Sequence, residues 1–148
     1  MADAPILNYT TSITATKSAG EVQDLLGRAG ASTVAVTYES GRPTAVQFVL
    51  PTAAGPAGYT LPVQVDAVYR ALLKHSAAPR YSTREHAERV AWRIAKDWLE
   101  AQIALVRADM ASLPQVMLPY RHTDSGDTVW QVEQQRQQLA LDAAEADR

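Results

Sequence analysis

The sequence has no cysteine, no long apolar run and little net charge, and each of these absences excludes a class of function. Without cysteine, the 148-residue chain forms no disulfide, no thiolate metal site and no cysteine nucleophile. No apolar run approaches the roughly 18–20 residues that span a bilayer, so we expect no membrane association. A formal net charge of −2 means that any attraction to nucleic acid has to come from a local basic patch.

Length and composition are those of one ordinary globular domain. Hydrophobic residues make up 47% of the chain and charged residues 20%, which favours a packed core over disorder. We therefore expect a single domain over residues 1–148, with a loose arm at 1–7 and a frayed, mostly acidic tail at 142–148. The first residues lack the basic and apolar regions of a signal peptide, and the absence of cysteine is compatible with a cytoplasmic protein.

The start of the chain predicts a strand and then a helix. Residues 8–14 are rich in Thr, Tyr and Ile, which indicates a first strand. Ser18 and Glu21 have the spacing of a capping box. Apolar residues at helical spacing follow up to Gly30, so the pattern predicts a helix over 18–29.

The next segment predicts an antiparallel sheet. Residues 33–39 alternate between two faces, and Val46, Phe48 and Leu50 form a second alternating face after the turn at Ser40-Gly41, which is typical of a hairpin. Residues 51–58 are rich in Pro, Gly and Ala and predict a loop or a wider hairpin turn, and residues 59–63 predict a short strand. The result is a sheet of three to four strands, with the early helix between strands 1 and 2.

The second half is predicted to be helical, which makes the fold class α+β with a C-terminal helical part. We expect helices at 65–75 and 129–141, and one long helix near 83–110 that begins with a capping box at Ser82-Thr-Arg-Glu85. The segment 113–121 contains two prolines, so we expect it to pack in extended form.

The long helix is apolar over more than half of its circumference. A surface helix needs an apolar arc of only about 100°, so this helix has to bury more than one side. The sheet can pack against one side of the helix. The other can be covered by helices 65–75 and 129–141 or by a second subunit of a homo-oligomer.

The sequence contains no pattern typical of catalysis, metal binding or cofactor binding. His75, His86 and His122 lack partners at metal-ligand spacing, and we expect His86 to be a solvated helix residue. No serine stands in a G-x-S-x-G context, and the glycines at 55 and 58 do not form a phosphate-binding loop. We therefore expect a protein that is not an enzyme and carries no metal or cofactor.

Charge is concentrated in the middle of the chain. Between Arg70 and Lys96 lie seven cations and only two carboxylates, for a local charge of +5. Aromatic residues are interleaved with them, and single-strand binders combine cations that follow phosphates with rings that stack on bases. The predicted nucleic-acid site consists of Arg70, Lys74, Arg80, Tyr81, Arg84, Arg89, Arg93 and Lys96. The alternative interpretation is an ordinary solvated helix face, and Trp92 and Trp98 are expected in the core rather than as stacking platforms.

From Thr16 to Tyr120 the sequence resembles a family of small, uncharacterised proteins encoded in tailed-phage genomes. The resemblance lies in Glu21-Val-Gln-Asp-Leu-Leu, Gly30-Ala-Ser-Thr-Val, Leu61-Pro-Val, the run 83–102 and Val116-Met-Leu-Pro-Tyr120. It implies a phage or prophage accessory role in the cytoplasm of a bacterial host cell, and it assigns no functional residues.

Two functions follow as expectations. The first is non-enzymatic binding of single-stranded DNA or RNA in phage replication or recombination, through the basic stretch. The alternative is a homo-oligomeric protein-interaction or host-modulating adaptor that uses its broad apolar helix. The acidic tail could dock a protein partner or shield the basic face, or it could simply be frayed.

Overall fold

A computed structural model describes residues 5–75 and 78–148 of the chain. The elements in chain order are α1 (Ala15–Arg28), β1 (Thr33–Glu39), β2 (Arg42–Thr52), β3 (Gly55–Pro62), α2 (Val65–Lys74), α3 (Arg84–Arg107), the single turn α4 (Leu113–Val116) and α5 (Val129–Ala146). Short 3₁₀ turns lie at Pro79–Tyr81 and Leu118–Tyr120. The predicted α+β class, early helix and C-terminal helices are confirmed, and the described residues form three strands rather than four.

The three strands form an antiparallel sheet in the order β1-β2-β3. Val46 pairs with Leu61 and Phe48 with Tyr59, and the Phe48 and Tyr59 rings stack with centroids 5.0 Å apart. These four side chains are buried, so one face of the sheet meets the helices. The alternation predicted for Val46, Phe48 and Leu50 is confirmed, because period-two spacing puts all three on this inner face.

The predicted first strand at residues 8–14 is wrong. This segment forms turns, with Asn8 at a positive φ of 64°, and the early helix α1 precedes the whole sheet instead of following a strand. The predicted capping box is also wrong, because the Thr14 hydroxyl caps α1 by accepting from the Lys17 amide at 3.2 Å. Ser18 consequently lies inside the helix and is fully buried.

Segment 51–58 holds a hairpin turn and not a loop, and this turn is tighter than the wide one predicted as the alternative. β2 continues to Thr52 and β3 starts at Gly55, so only a two-residue turn separates the strands. Gly55 has a φ of 110°, a conformation that favours glycine, and the Thr52 hydroxyl donates to its carbonyl. Pro51 and Pro56 face each other at this end of the ladder, which places both where ladder hydrogen bonds are ending.

The long helix α3 lies at the centre of the molecule. It begins one residue later than the predicted capping box implies, because the Thr83 hydroxyl accepts from the His86 amide at 3.1 Å. Trp92 is fully buried, as predicted, and its indole N–H donates to the Pro43 carbonyl at 2.9 Å. Trp98 is half-buried and meets Tyr120 edge to face, with ring centroids 5.9 Å apart.

The second side of α3 is covered by helices of the same chain. Helices α1 and α2 both pack extensively on α3, so the interpretation that assigned part of this cover to the final helix is wrong. α5 packs chiefly on the 3₁₀ turn at Leu118–Tyr120. The sequence pattern showed a broad apolar surface but not which helix covers it.

Two further predictions near the C-terminus are wrong. Residues 113–121 are not extended, because Ser112 and Gln115 form a capping box for α4 with Pro114 in its first turn, a position that tolerates proline. The expected frayed tail is helical almost to its end, since α5 continues to Ala146. Of the predicted loose arm at 1–7, residues 1–4 lie outside the described residues.

Among the described residues, no helix combines the length and the apolar character that crossing a bilayer requires.

Candidate interaction surfaces

Four of the predicted nucleic-acid-binding cations are ion-paired. Arg89 contacts Glu85 at 2.9 Å, and Lys96 contacts Glu100 at 2.6 Å and Asp97 at 3.7 Å. The hydrogen bond to Glu100 is the main cause of a raised pKa for Lys96. Arg84 pairs with Asp66 and Arg93 with Glu21. These neighbours neutralise much of the charge that a phosphate backbone would meet.

Arg93 is not a surface residue, contrary to the sequence-based prediction. Only 7% of it is exposed, because α1 packs over this part of α3 and supplies Glu21 as its partner. A buried cation is retained when it is paired and hydrogen-bonded. Arg93 therefore joins α1 to α3 and cannot reach a nucleic acid.

His86 is likewise buried and not solvated as predicted. It is 4% exposed, and its Nε2 lies within hydrogen-bonding distance of the Tyr9 carbonyl oxygen. The Asn8 amide donates to Asp97 at 2.8 Å further along α3. The N-terminal segment thus lies across the polar face of α3 and covers what the sequence indicated as solvent-exposed surface.

Arg84 faces a groove of mixed charge. The groove holds about 380 Å³ between the β1–β2 turn and the first turns of α2 and α3. Three carboxylates line it, from Glu39, Asp66 and Glu88, against two guanidinium groups, from Arg42 and Arg84. Carboxylates in excess over cations repel phosphate, so this groove is unsuited to a nucleic-acid backbone.

The remaining predicted site residues are Arg70, Lys74, Arg80 and Tyr81. Within the described part of the chain, the three cations are exposed and have no carboxylate within ion-pair distance. The Arg80 guanidinium lies over the Tyr81 ring at 4.7 Å. Tyr81 also contacts the rings of Tyr9 and His86, so little of its face is left for stacking on a base.

The three cross-strand rows of the outer sheet face contain no aromatic side chain. They are Thr33, Val49 and Gly58; Ala35, Gln47 and Thr60; and Thr37, Ala45 and Pro62. All nine residues are exposed or half-buried, and none is charged or aromatic. Sheets that bind single-stranded RNA stack bases on aromatic side chains. These rows contain none, and the exposed His122 ring that lies against Gly58 is hydrogen-bonded to Thr60 at 2.6 Å.

An apolar groove of about 380 Å³ lies between β3, α2 and α3. Ile94, Trp98 and Val68 are among its lining residues, and the polar side chains of Gln64 and Tyr120 lie at its walls. Apart from Tyr120, its described lining has no titratable group, and it includes no serine or threonine that could act with that hydroxyl in catalysis. In the part of the chain that the structure describes, no group of three or more His, Asp or Glu residues is placed to hold a metal ion.

Helix α5 is the most exposed element of the described chain. Thr128 and Gln131 form a capping box at its start, and the Val129 amide joins its first turn to the body by donating to the Arg121 carbonyl at 2.9 Å. None of its residues is buried, yet it carries four exposed large hydrophobic side chains: Trp130, Val132, Leu139 and Leu141. Such residues in one protruding element are typical of an interaction site.

The sequence-based site prediction did not include α5, although a signal for it was present. Val129, Val132, Arg136, Leu139, Ala143 and Ala146 recur at alternating intervals of three and four residues. This spacing places them on one side of the helix, which we call the Val132 stripe. Trp130 and Leu141 lie on the other side.

Comparisons with protein-family models, curated proteins and solved structures find no match to this chain.

We predict that Arg93 is a stabilising residue and not a ligand-binding one. Replacing Arg93→Ala leaves Glu21 without its partner, and loss of a hydrogen bond to a charged group lowers the free energy of unfolding by about 1.5–3 kcal/mol. Because the Glu21 side chain is 35% exposed, water limits the loss to that range. Urea unfolding measures the change.

The matched control is Arg80→Ala, which removes an exposed cation and is expected to change the free energy of unfolding by less than about 0.5 kcal/mol. If both substitutions change the free energy of unfolding by the same small amount, Arg93 has no structural role.

Proposed function

We propose that this protein is a non-enzymatic interaction protein that acts as a homo-oligomer, with α5 as the element that joins copies. The observation that carries the proposal is an 18-residue helix with no buried residue, whose Val132 stripe includes the exposed side chains of Val132 and Leu139. Helices α1 and α2 cover much of the apolar surface of α3, on which an oligomer was first expected to depend, and part of the rest lines the groove between β3, α2 and α3. We therefore assign the assembly surface to α5 and not to α3.

Most of α5 lacks the packing that stabilises a helix in a folded protein. Helices in proteins owe most of their stability to tertiary packing, and isolated helical segments shorter than about 12–15 residues are marginal in water. Beyond Glu133 every residue of α5 is exposed, so the body of the same chain supplies no such packing there. A second helix on the Val132 stripe supplies it.

The resemblance to small tailed-phage proteins supports an accessory role for this assembly inside the bacterial host cell. An accessory protein of a phage or prophage works in the bacterial cytoplasm, and a homo-oligomeric adaptor with no catalytic residues is compatible with that role. The acidic end of α5, with Asp142, Glu145 and Asp147, belongs to the same surface in this proposal.

Self-association is tested by sedimentation equilibrium of the full chain over a wide range of protein concentration. The mass of the wild-type protein is expected to rise above the 16.1 kDa of one chain as concentration increases. Leu139→Lys puts a positive charge into the Val132 stripe and is expected to weaken association at least tenfold, because a buried unpaired charge is costly.

Leu141→Lys is the matched control for that experiment. Leu139 and Leu141 are similarly exposed, at 69% and 61%, but lie on different sides of α5, so the second variant is expected to associate like the wild type. A wild-type protein that stays monomeric at the highest concentration would contradict the proposal, and so would equal effects of both substitutions.

Single-stranded nucleic-acid binding is the second candidate function. It is favoured by Arg70, Lys74 and Arg80, whose exposed charges no described carboxylate neutralises. Arg70 and Lys74 are four residues apart on α2 and so share one face, and Arg80 follows in the connection to α3. This reduced site replaces the eight-residue site expected from the sequence.

Fluorescence anisotropy of a labelled single-stranded oligonucleotide tests the second candidate across a salt series. Binding is expected to weaken with salt, and a variant with Arg70→Ala, Lys74→Ala and Arg80→Ala is expected to reduce the slope of log K against log salt by about 2, at roughly 0.7 per phosphate contact. Arg84→Ala, which removes an ion-paired cation, is the control and should leave the slope unchanged. No binding at low salt would eliminate this candidate.

A further inference from the structure

The apolar side chains of the Val132 stripe are smallest at the free end of α5. Valines at 129 and 132 stand near the body, Leu139 stands near the middle, and alanines at 143 and 146 stand near the free end. Their alternating three- and four-residue spacing is the pattern by which two helices pair along a seam. An uneven distribution of size along a seam distinguishes a parallel from an antiparallel pair.

We infer that two copies of the chain join by antiparallel pairing of their α5 helices along the Val132 stripe; this rests on the proposed self-association. When the stripes overlap over their full length, Val132 of one copy lies opposite Ala143 of the other. Val129 lies opposite Ala146 by the same register. Large residues then face small ones at both ends, which fills the seam evenly, whereas a parallel pair sets alanine against alanine at the free ends.

The charge of Arg136 also favours antiparallel pairing of the two helices. Arg136 is the only charged residue of the stripe, and its guanidinium is held at 2.8 Å by Glu133 of its own helix. A parallel pair places the two Arg136 side chains in the same layer, where like charges repel. In the antiparallel pair each Arg136 lies opposite Leu139 of the second copy, about one turn from that copy's Asp142.

The acidic residues at the end of α5 supply a second electrostatic argument. In the antiparallel pair Asp142, Glu145 and Asp147 approach the first turns of the other α5, where free backbone N–H groups favour negative charge. The exposed side chain of Arg121 lies just before that turn. A parallel pair instead aligns these carboxylates with their own equivalents, which is repulsive.

The pairing is expected to be weak. α5 has 18 residues, about 27 Å at the rise of an α-helix, and a pair of such helices buries an area at or below the ~1,200 Å² where stable specific interfaces begin. An equilibrium between single and paired chains over ordinary working concentrations is therefore part of the inference.

Because the chain has no cysteine, introduced thiols report the direction of pairing without interference. Two full-length variants are prepared, Val132→Cys and Ala143→Cys, and one carries a small tag so that products separate on a gel. Each is oxidised alone, and the two are oxidised as an equimolar mixture, after sedimentation shows that the reduced variants associate like the wild type.

The antiparallel register predicts one cross-linked product, formed only in the mixture, between positions 132 and 143. Within each variant alone, the two identical positions are offset by eleven residues, about 16 Å along the helix, beyond the ~7 Å between Cα atoms that a disulfide spans. Disulfides within the single variants indicate parallel helices and overturn the inference.

The remaining outcomes separate this inference from the proposed function. If the protein associates but no sample cross-links, the pairing described here is wrong while self-association through α5 still stands. If the wild-type chain and both variants are monomeric at every concentration, the proposed function and this inference fail together.

Discussion

Burial of Trp92 is the interaction on which the rest of the structure depends. Its side chain is fully enclosed, and its indole donates to the Pro43 carbonyl at the start of β2, so α3 is fixed against the sheet. Helices α1 and α2 then cover the other apolar surface of α3. The core is complete without α5, and this completeness is the reason that the hydrophobic side chains of α5 remain exposed and available to another copy.

The same packing of helices decides which cations are paired with carboxylates. Seven cations between Arg70 and Lys96 give a basic stretch in the sequence, but folding brings Glu21 from α1 and Asp66 from α2 to Arg93 and Arg84. A count along the chain includes only carboxylates that are near in sequence, whereas electrostatic attraction depends on distance in space. The folded molecule therefore presents a smaller basic surface, at Arg70, Lys74 and Arg80, than its sequence indicates.

What the sequence predicted well was set by local patterns. The hairpin of β1 and β2 and the helix α3 follow from period-two and period-3.6 spacing, which any backbone of that type displays. The start of α1 was missed because Thr14 and Ser18 are both acceptable caps, and the burial of Ser18 decides between them. The Arg93–Glu21 pair, 72 residues apart, and the isolation of α5 depend on which elements become neighbours, and no local pattern encodes that.

The central claim, that α5 is covered by another copy of the chain, is tested most directly by hydrogen exchange of its backbone amides at two protein concentrations. The account predicts that amides beyond Glu133 exchange quickly in dilute solution and become protected as concentration rises, while those of α3 around Trp92 are protected equally in both. Exchange in α5 that is independent of concentration would contradict it, because a helix without a second copy gains no protection from adding more protein.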